Sequence, residues 1–275
     1  CKPKIINNNE TSFVKCKKIR HPIIERIQTD CEYVPNDICL GKGDLNGMLL
    51  YGCNAVGKSS MMKAIGLNII MAQAGLYVAS SNFVFNPFHY IFTRISDNDN
   101  IFKGQSSFAV EMSELRSILK RSNSNSIVLG DELCSGTESV SAQSIFASSV
   151  VRLSQKNVNF VFATHLHELY KLPLIQNLDN VKSFHLKVIF DEKNKKLIYD
   201  RKLEEGNGPA IYGLEVCKAM DLDPEFLKLA NSIRRDLLGI NESIQEKKRS
   251  PYNKKLYLQD CSICGEKAVD AHHIK

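Results

Sequence analysis

Residues 48–59 read MLLYGCNAVGKS, and this stretch decides the expected fold. An apolar run ends at Gly52, and the spacing Gly-x-x-x-x-Gly-Lys-Ser then places Lys58 and Ser59 directly after Gly57. In this pattern the glycines allow a tight backbone whose N–H groups wrap phosphates, the lysine reaches the β- and γ-phosphates, and the serine hydroxyl can ligate Mg²⁺. Because a strand-like run precedes the motif and a helix-like pattern follows it, we predict a nucleoside triphosphate site.

Apolar runs and helix-like segments alternate along the middle of the chain. Residues 60–76 and 140–153 have the apolar spacing of helices, whereas 126–130 and 159–163 are short apolar runs typical of buried strands. This alternation predicts an α/β fold with a mainly parallel sheet flanked by helices, as in the P-loop NTPases.

Composition divides the chain into four segments. Residues 1–18 are polar and basic and are expected to be a loop at the end of an upstream region. Residues 19–240 form the predicted ATPase domain, 241–255 have the composition of a linker, and 256–275 begin a different module. Because the chain does not begin with Met, we expect it to be a piece of a longer protein.

Overall composition narrows the class of protein further. The 275 residues are 43% hydrophobic and 24% charged, as in soluble globular domains, and no run of eighteen apolar residues predicts a membrane span. A net charge of +6 is compatible with nucleic acid but equally with an ordinary solvated surface. The nine cysteines are mostly scattered singly, so we expect reduced thiols and an intracellular protein, without further resolution of the compartment.

Two further sets of polar residues follow the strand-like runs. Asp131 and Glu132 end the first run, where one acid can hold Mg²⁺ and its neighbour can polarise an attacking water. His165 follows the next run, where a side chain would lie near a γ-phosphate. Beside a phosphate loop the acid pair favours catalysis over a solvated pair of carboxylates, whereas His165 fits a catalytic or a structural role equally well.

From about residue 18 to 237 the chain resembles the MutS family of mismatch-repair ATPases. Six motifs carry the resemblance in the family's order: IRHP at 19–22 with PND at 35–37, GCNAVGKS at 52–59, FTRI at 92–95 with GQSSFAVEM at 104–112, LGDE at 129–132 with GT at 136–137, ATHLHEL at 163–169, and YGLEV at 212–216. Departures at Cys53, Ala55, Val56, Ser60 and Ile211 indicate a divergent branch.

The resemblance implies an ABC-type ATPase that works as a homodimer with composite sites, uses ATP and Mg²⁺, and drives a clamp on double-stranded DNA with mismatches. It assigns adenine stacking to Tyr33 and γ-phosphate contacts to Asn54 and to Ser106, the latter acting across the dimer. The remaining implied assignments are nucleotide contacts by Gly52, Gly57, Lys58, Ser59 and Ser60, magnesium binding by Ser59 and Asp131, and catalysis by Glu132 and His165.

The last twenty residues contain a second pattern, Cys261-x-x-Cys264 followed by His272 and His273. It resembles the start of HNH nuclease modules, which a MutS branch of giant viruses and coral mitochondria carries at this place. The resemblance implies Zn²⁺ on the two cysteines, a catalytic divalent metal on His272 and a general base at His273. Because a structural zinc site needs four ligands, we expect the module to be truncated here; an unrelated zinc ribbon or a disordered tail is the alternative.

Two other functions fit parts of the sequence. An ATPase of the SMC or transporter type would carry a Leu-Ser-Gly-Gly-Gln signature, but residues 104–107 read GQSS. A DNA-binding module with an inactive ATPase would not need Lys58, Asp131 and Glu132, all of which are present.

Overall fold

The computed structural model describes residues 1–7, 10–28, 32–41, 45–52, 56–95, 107–134, 136–191, 196–208, 213–220 and 222–237. The chain forms two compact units, Cys1–Met220 and Asp221–Lys275. Among the described helices, none is long and apolar enough to cross a membrane.

The described residues include ten strands, all in the first unit. In chain order they are β1 (Lys4–Ile5), β2 (Phe13–Ile19), β3 (Asn36–Leu40), β4 (Gly47–Tyr51), β5 (Asn82–Asn86), β6 (Tyr90–Arg94), β7 (Ser126–Asp131), β8 (Asn159–Thr164), β9 (Val181–Asp191) and β10 (Lys196–Glu205).

The helices alternate with these strands. They are α1 (Ile24–Ile27), α2 (Lys58–Gln73), α3 (Ser107–Arg121), α4 (Ser139–Gln155), α5 (Pro173–Gln176), α6 (Gly213–Ala219) and α7 (Pro224–Leu237), and a 3₁₀ helix (His167–Lys171) precedes α5. Helices were predicted at 60–76 and 140–153, and both exist as α2 and α4.

The central sheet has six strands in the order β10-β9-β4-β8-β7-β6. Neighbours from β9 to β6 are parallel, and β10 alone is antiparallel, to β9. The predicted α/β architecture with a mainly parallel sheet and flanking helices is therefore confirmed. The zinc- or HNH-like segment predicted for 256–275 lies outside the described residues.

Alternating side chains of β4 build two separate cores. Met48 and Leu50 pack with α2 and with the four-stranded sheet described below, whereas Leu49 and Tyr51 pack on the opposite face with α4 and with side chains of β8. This alternation follows from the two-residue period of a strand. As a result β4 is buried on both faces, and α2 lies between the two sheets.

The second sheet has four strands in the order β1-β5-β2-β3, and its pairs are antiparallel except β1 with β5. The prediction of a loop over 1–18 is wrong, because β1 and most of β2 lie there. The lysines that suggested a loop occupy the solvent-facing positions of β2: Lys15 and Lys17 are exposed, while Val14 and Cys16 between them are buried.

In the second unit, α7 begins with a capped first turn. The Asp223 carboxylate accepts a hydrogen bond from the Phe226 backbone N–H at 2.9 Å, which is the N-cap contact, and Pro224 is the first helical residue. The domain bounds at 18 and 240 remain predictions.

Candidate active site

The phosphate loop joins the end of β4 to the start of α2. Gly52 has φ of +148° and Gly57 has φ of +110°, values that other residues rarely adopt. A side chain at Gly52 would also approach Val56 Cγ1 at 3.1 Å. The backbone therefore requires glycine at these two positions, and the first turn of α2, which follows directly, has N–H groups that a helix leaves without partners of its own.

Lys58 is the first residue of α2 and is only 4% exposed. Its Nζ donates to the Gly52 carbonyl oxygen at 2.7 Å and lies 3.3 Å from His165 Nε2. A buried ammonium group is costly unless polar groups surround it. The loop thus holds the Lys58 ammonium group in place. Phosphate oxygens of a bound nucleotide would accept its hydrogen bonds instead of, or in addition to, the Gly52 carbonyl oxygen.

Asp131, the last residue of β7, points a carboxylate oxygen into the protein. Its Oδ1 is buried and has no hydrogen-bond partner among the described residues. An unpaired buried carboxylate oxygen is unfavourable, and Mg²⁺ prefers oxygen ligands of this kind. Together with the Ser59 hydroxyl in the first turn of α2, Asp131 fits a magnesium ion bound with a nucleotide.

Glu132 and His165 are in direct contact. His165 Nε2 lies 2.6 Å from Glu132 Oε1, and both side chains are partly exposed. Because a carboxylate only accepts hydrogen bonds, the imidazole nitrogen carries the proton in this contact. Since Nε2 donates to Glu132, it does not accept from Lys58, whose ammonium group only lies beside the ring. The Gly52 carbonyl, Lys58, His165 and Glu132 thus form a polar chain, a row of neighbouring groups, across the carboxyl ends of β4, β8 and β7.

The turn after β7 is strained. Glu132 has φ of +51° and Cys134 has φ of +68°, and a left-handed non-glycine residue costs about 1–3 kcal/mol. Two hydrogen bonds hold the turn: the Glu132 N–H donates to Ala163 O at 3.0 Å, and the Cys134 N–H donates to Glu111 Oε1 at 2.6 Å. Such strain is common where a catalytic side chain must be aimed.

A pocket of about 220 Å³ lies beside the phosphate loop. Its lining includes the half-buried Tyr33 from the segment before β3, Val56 and Ser60 near the loop, and Arg201 from β10. Burial raises the pKa of the Tyr33 hydroxyl, which therefore stays neutral. An aromatic face next to a phosphate loop fits a purine base.

Sequence reasoning missed Arg201 and Asn36. Arg201 has φ of +57° at an irregularity in β10, and its Nε is buried without a partner among the described residues. Asn36 fixes this irregularity: its amide donates to Arg201 O at 3.1 Å, and its oxygen accepts from the Leu203 N–H at 2.8 Å. Asn36 was noted only as part of a motif, and no periodicity in 196–205 indicates the bulge.

His167 is a third residue that sequence reasoning missed. Its ring centroid lies 5.3 Å from that of Tyr51 at the end of β4. Burial, followed by the nearby His165 and Lys58, lowers the pKa of His167, so its imidazole is neutral at neutral pH. A neutral His167 ring adds no positive charge beside Lys58.

The structure thus brings most of the predicted site residues to one edge of the central sheet. The described members are Tyr33, Gly52, Gly57, Lys58, Ser59, Ser60, Asp131, Glu132 and His165. The others, Asn54, Ser106, Cys261, Cys264, His272 and His273, lie outside the described residues. In the part of the chain that is described, no group of three or more His, Cys, Asp or Glu side chains forms a metal site by itself.

Comparison with known proteins agrees with this geometry. The family model of MutS domain V matches residues 48–238, which is more than half of the chain. The chain belongs to the MutS family. The match begins at β4 and ends with α7, so the phosphate loop, the acid pair and His165 all lie inside the MutS region.

Several MutS relatives match most of the chain. A putative DNA mismatch repair MutS homolog of Acanthamoeba polyphaga mimivirus is 39% identical over 100% of this chain and 28% of its own length. A mitochondrial MutS homolog of Sarcophyton glaucum is 39% identical over 96% of the chain and 26% of its length, and MutS of Finegoldia magna is 34% identical over 83% and 26%. The chain thus spans about a quarter of the length of these relatives.

The aromatic pocket generates a first prediction. Replacing Tyr33 by Ala removes the stacking face and should weaken binding of a fluorescent ATP analogue about tenfold, whereas Tyr33→Phe should bind nearly as well as wild type. Tyr77→Ala is the matched control, because Tyr77 is 72% exposed and does not line the pocket. Equal affinity of the Tyr33→Ala variant and wild type would place the base elsewhere.

Proposed function

We propose that this chain is the ATP-hydrolysing part of a MutS-type mismatch-repair protein, in which the nucleotide state controls a clamp on DNA. The observation that carries the proposal is the polar chain Gly52–Lys58–His165–Glu132 next to the unpaired Asp131 oxygen. It joins a phosphate-binding cation, a magnesium ligand and a water-activating carboxylate at one edge of the sheet. Membership of the MutS family makes ATP the expected nucleotide.

The triphosphate would extend from the aromatic pocket into the phosphate loop. The base stacks on Tyr33, with Arg201 lining the same pocket, and the phosphates lie over the start of α2, which presents N–H groups and Lys58. Asn54 belongs to the same loop and is assigned to the γ-phosphate. Ser60 lines the pocket, so this part of α2 faces the nucleoside as well as the phosphates.

Hydrolysis is an in-line transfer of the γ-phosphoryl group to water. Glu132 accepts a proton from the attacking water while the oxygen of that water forms a bond to the γ-phosphorus. The bond from that phosphorus to the bridging oxygen breaks, and the products are ADP and inorganic phosphate. His165 contacts Glu132 and lies near Lys58, so it can orient the carboxylate and respond to loss of the γ-phosphate.

A magnesium ion, when bound, neutralises charge on the β- and γ-phosphates. Asp131 and Ser59 are the residues that would hold it. The buried Asp131 oxygen supports this assignment because its lack of a partner would otherwise be a net cost.

The site is proposed to be completed by a second copy of the chain. Ser106 would approach the partner's γ-phosphate, which makes each site composite and the working unit a homodimer. The segment that carries Ser106 leads directly into α3, and Arg94 of β6 pairs with Glu114 of that helix at 3.2 Å. This ion pair joins α3 to β6 at the edge of the central sheet.

Binding of mismatched DNA is assigned to parts of the whole protein that this chain does not include. The relatives are named as mismatch-repair proteins, and the chain spans about a quarter of their length. On this proposal ATP binding and hydrolysis here set the state of a clamp elsewhere.

We further propose that residues 256–275 begin an HNH nuclease module. Cys261 and Cys264 would be two of four zinc ligands, His272 would hold the catalytic metal, and His273 would act as general base. The mimivirus relative matches all of this chain, so the similarity extends through this segment.

ATP turnover tests the main proposal. Lys58→Ala removes the cation that would contact the phosphates and should lower ATP hydrolysis at least about a hundredfold. Glu132→Gln should lower it as much while ATP still binds, because loss of a general base typically costs about that much. Lys63→Ala is the control, since it removes an exposed lysine from the same helix. Unchanged turnover in Lys58→Ala would overturn the site, and a wild-type chain that binds DNA without hydrolysing ATP would indicate an inactive ATPase.

Mixed dimers test whether the site is shared. A chain with Ser106→Ala and one with Lys58→Ala should each be inactive alone, yet a mixed dimer should have one intact site with a wild-type lysine and serine. We expect a mixture to regain up to about a quarter of wild-type turnover, since half of the dimers are mixed and each has one of two sites. No recovery despite proven exchange of subunits would contradict action across the dimer.

Zinc content tests the nuclease segment. In a chain extended by its own downstream sequence, metal analysis should find about one zinc per protein beyond any nuclease metal, and a Cys261→Ala/Cys264→Ala double variant should lose it. Cys217→Ala in α6 is the matched cysteine control. Zinc retained by the double variant would exclude these ligands.

A further inference from the structure

We infer that Glu111 is a positioning residue for ATP hydrolysis: its carboxylate holds the strained turn that aims Glu132. The inference rests on the proposed function, because it assigns a role within the same reaction. Glu111 lies on α3 and is 4% exposed, whereas the carboxylates at the site itself are partly exposed. A buried carboxylate needs strong donors to offset its desolvation.

The donor is the backbone N–H of Cys134, 2.6 Å from Glu111 Oε1. Cys134 has the left-handed φ of +68°, and no side chain of this turn takes part in the contact, because the donor is a backbone N–H. Glu111 therefore recognises the conformation of the turn rather than a particular residue in it. Its negative charge also contributes, after burial, to raising the pKa of the Cys134 thiol to about 11.

The turn is fixed at both ends by different elements. At its start the Glu132 N–H donates to Ala163 O of β8, and at its end the Cys134 N–H donates to Glu111 of α3. Between them Leu133 is buried in the core. Two successive anchors therefore fix the backbone from which the Glu132 side chain extends to its contact with His165.

Loss of the α3 anchor should therefore loosen the direction of Glu132 without altering the phosphate loop. In the part of the chain that is described, Glu111 does not line the base pocket, and its hydrogen bond goes to the turn after β7 rather than to the phosphate loop. The expected signature is a lower kcat with nearly unchanged nucleotide affinity. Substitution of a residue that is needed only for the fold would lower both kcat and nucleotide affinity, or neither of them.

A matched pair of variants tests this in the full chain. Glu111→Met keeps the length of the side chain but has no strong acceptor, whereas Glu111→Gln keeps an acceptor oxygen. We expect Glu111→Met to lower kcat about tenfold with affinity for a fluorescent ATP analogue within about twofold, and Glu111→Gln to retain most activity. Arg116→Met is the control, because Arg116 is on the same helix and is exposed.

A double variant separates a role through Glu132 from other roles. In a Glu132→Gln background, Glu111→Met should cause no further loss of residual turnover, because there is no carboxylate left to aim. Full activity of Glu111→Met, independent losses in the double variant, or unfolding or parallel loss of affinity in both Glu111 variants would each overturn the inference. Absence of ATP turnover in wild type, or turnover that survives Lys58→Ala, would instead overturn the proposed function.

Discussion

The site depends on the burial of one cation, because the ammonium group of Lys58 lies inside the phosphate loop with little exposure to solvent. The helix N-terminus that attracts phosphate also disfavours a cation, so Lys58 needs acceptors close at hand. The Gly52 carbonyl supplies one at 2.7 Å, and it does so because the chain leaves β4 through a conformation that glycine adopts readily. Because β4 is buried on both faces, it holds the loop and its cation in a fixed position next to the ends of the neighbouring strands.

The parts of the molecule that could be predicted from sequence are those with local causes. The loop spacing, the buried strands β4, β7 and β8 and the helices after them each leave a pattern in ten to twenty residues. Parallel strands end at the same edge of a sheet, so Asp131, Glu132 and His165 could be placed beside Lys58 without a structure. The observed contacts of His165 with both Glu132 and Lys58 agree with that placement.

The parts that could not be predicted arise from contacts between distant segments. Asn36 and the bulge at Arg201 are 165 residues apart, and neither leaves a periodic signal. The strands β1 and β2 were not predicted, because a segment with alternating lysines on an exposed face has the composition of a loop. Glu111 lies in a helix whose pattern gives no reason to expect a buried carboxylate, since its partner is a backbone group 23 positions further along the chain.

The position of the aromatic pocket has a mechanical consequence. Tyr33 precedes a strand of the four-stranded sheet, and Arg201 belongs to the six-stranded one, so the pocket has a wall from each. A nucleoside bound there would link the two sheets, which also contact each other through α2, the Asn36 hydrogen bonds, and hydrogen bonds from Lys202 to Pro35 and from Asn159 to Ser12. The layers should then melt as one cooperative body when the pocket is filled, and their separation should become the softest motion of the unit when it is empty.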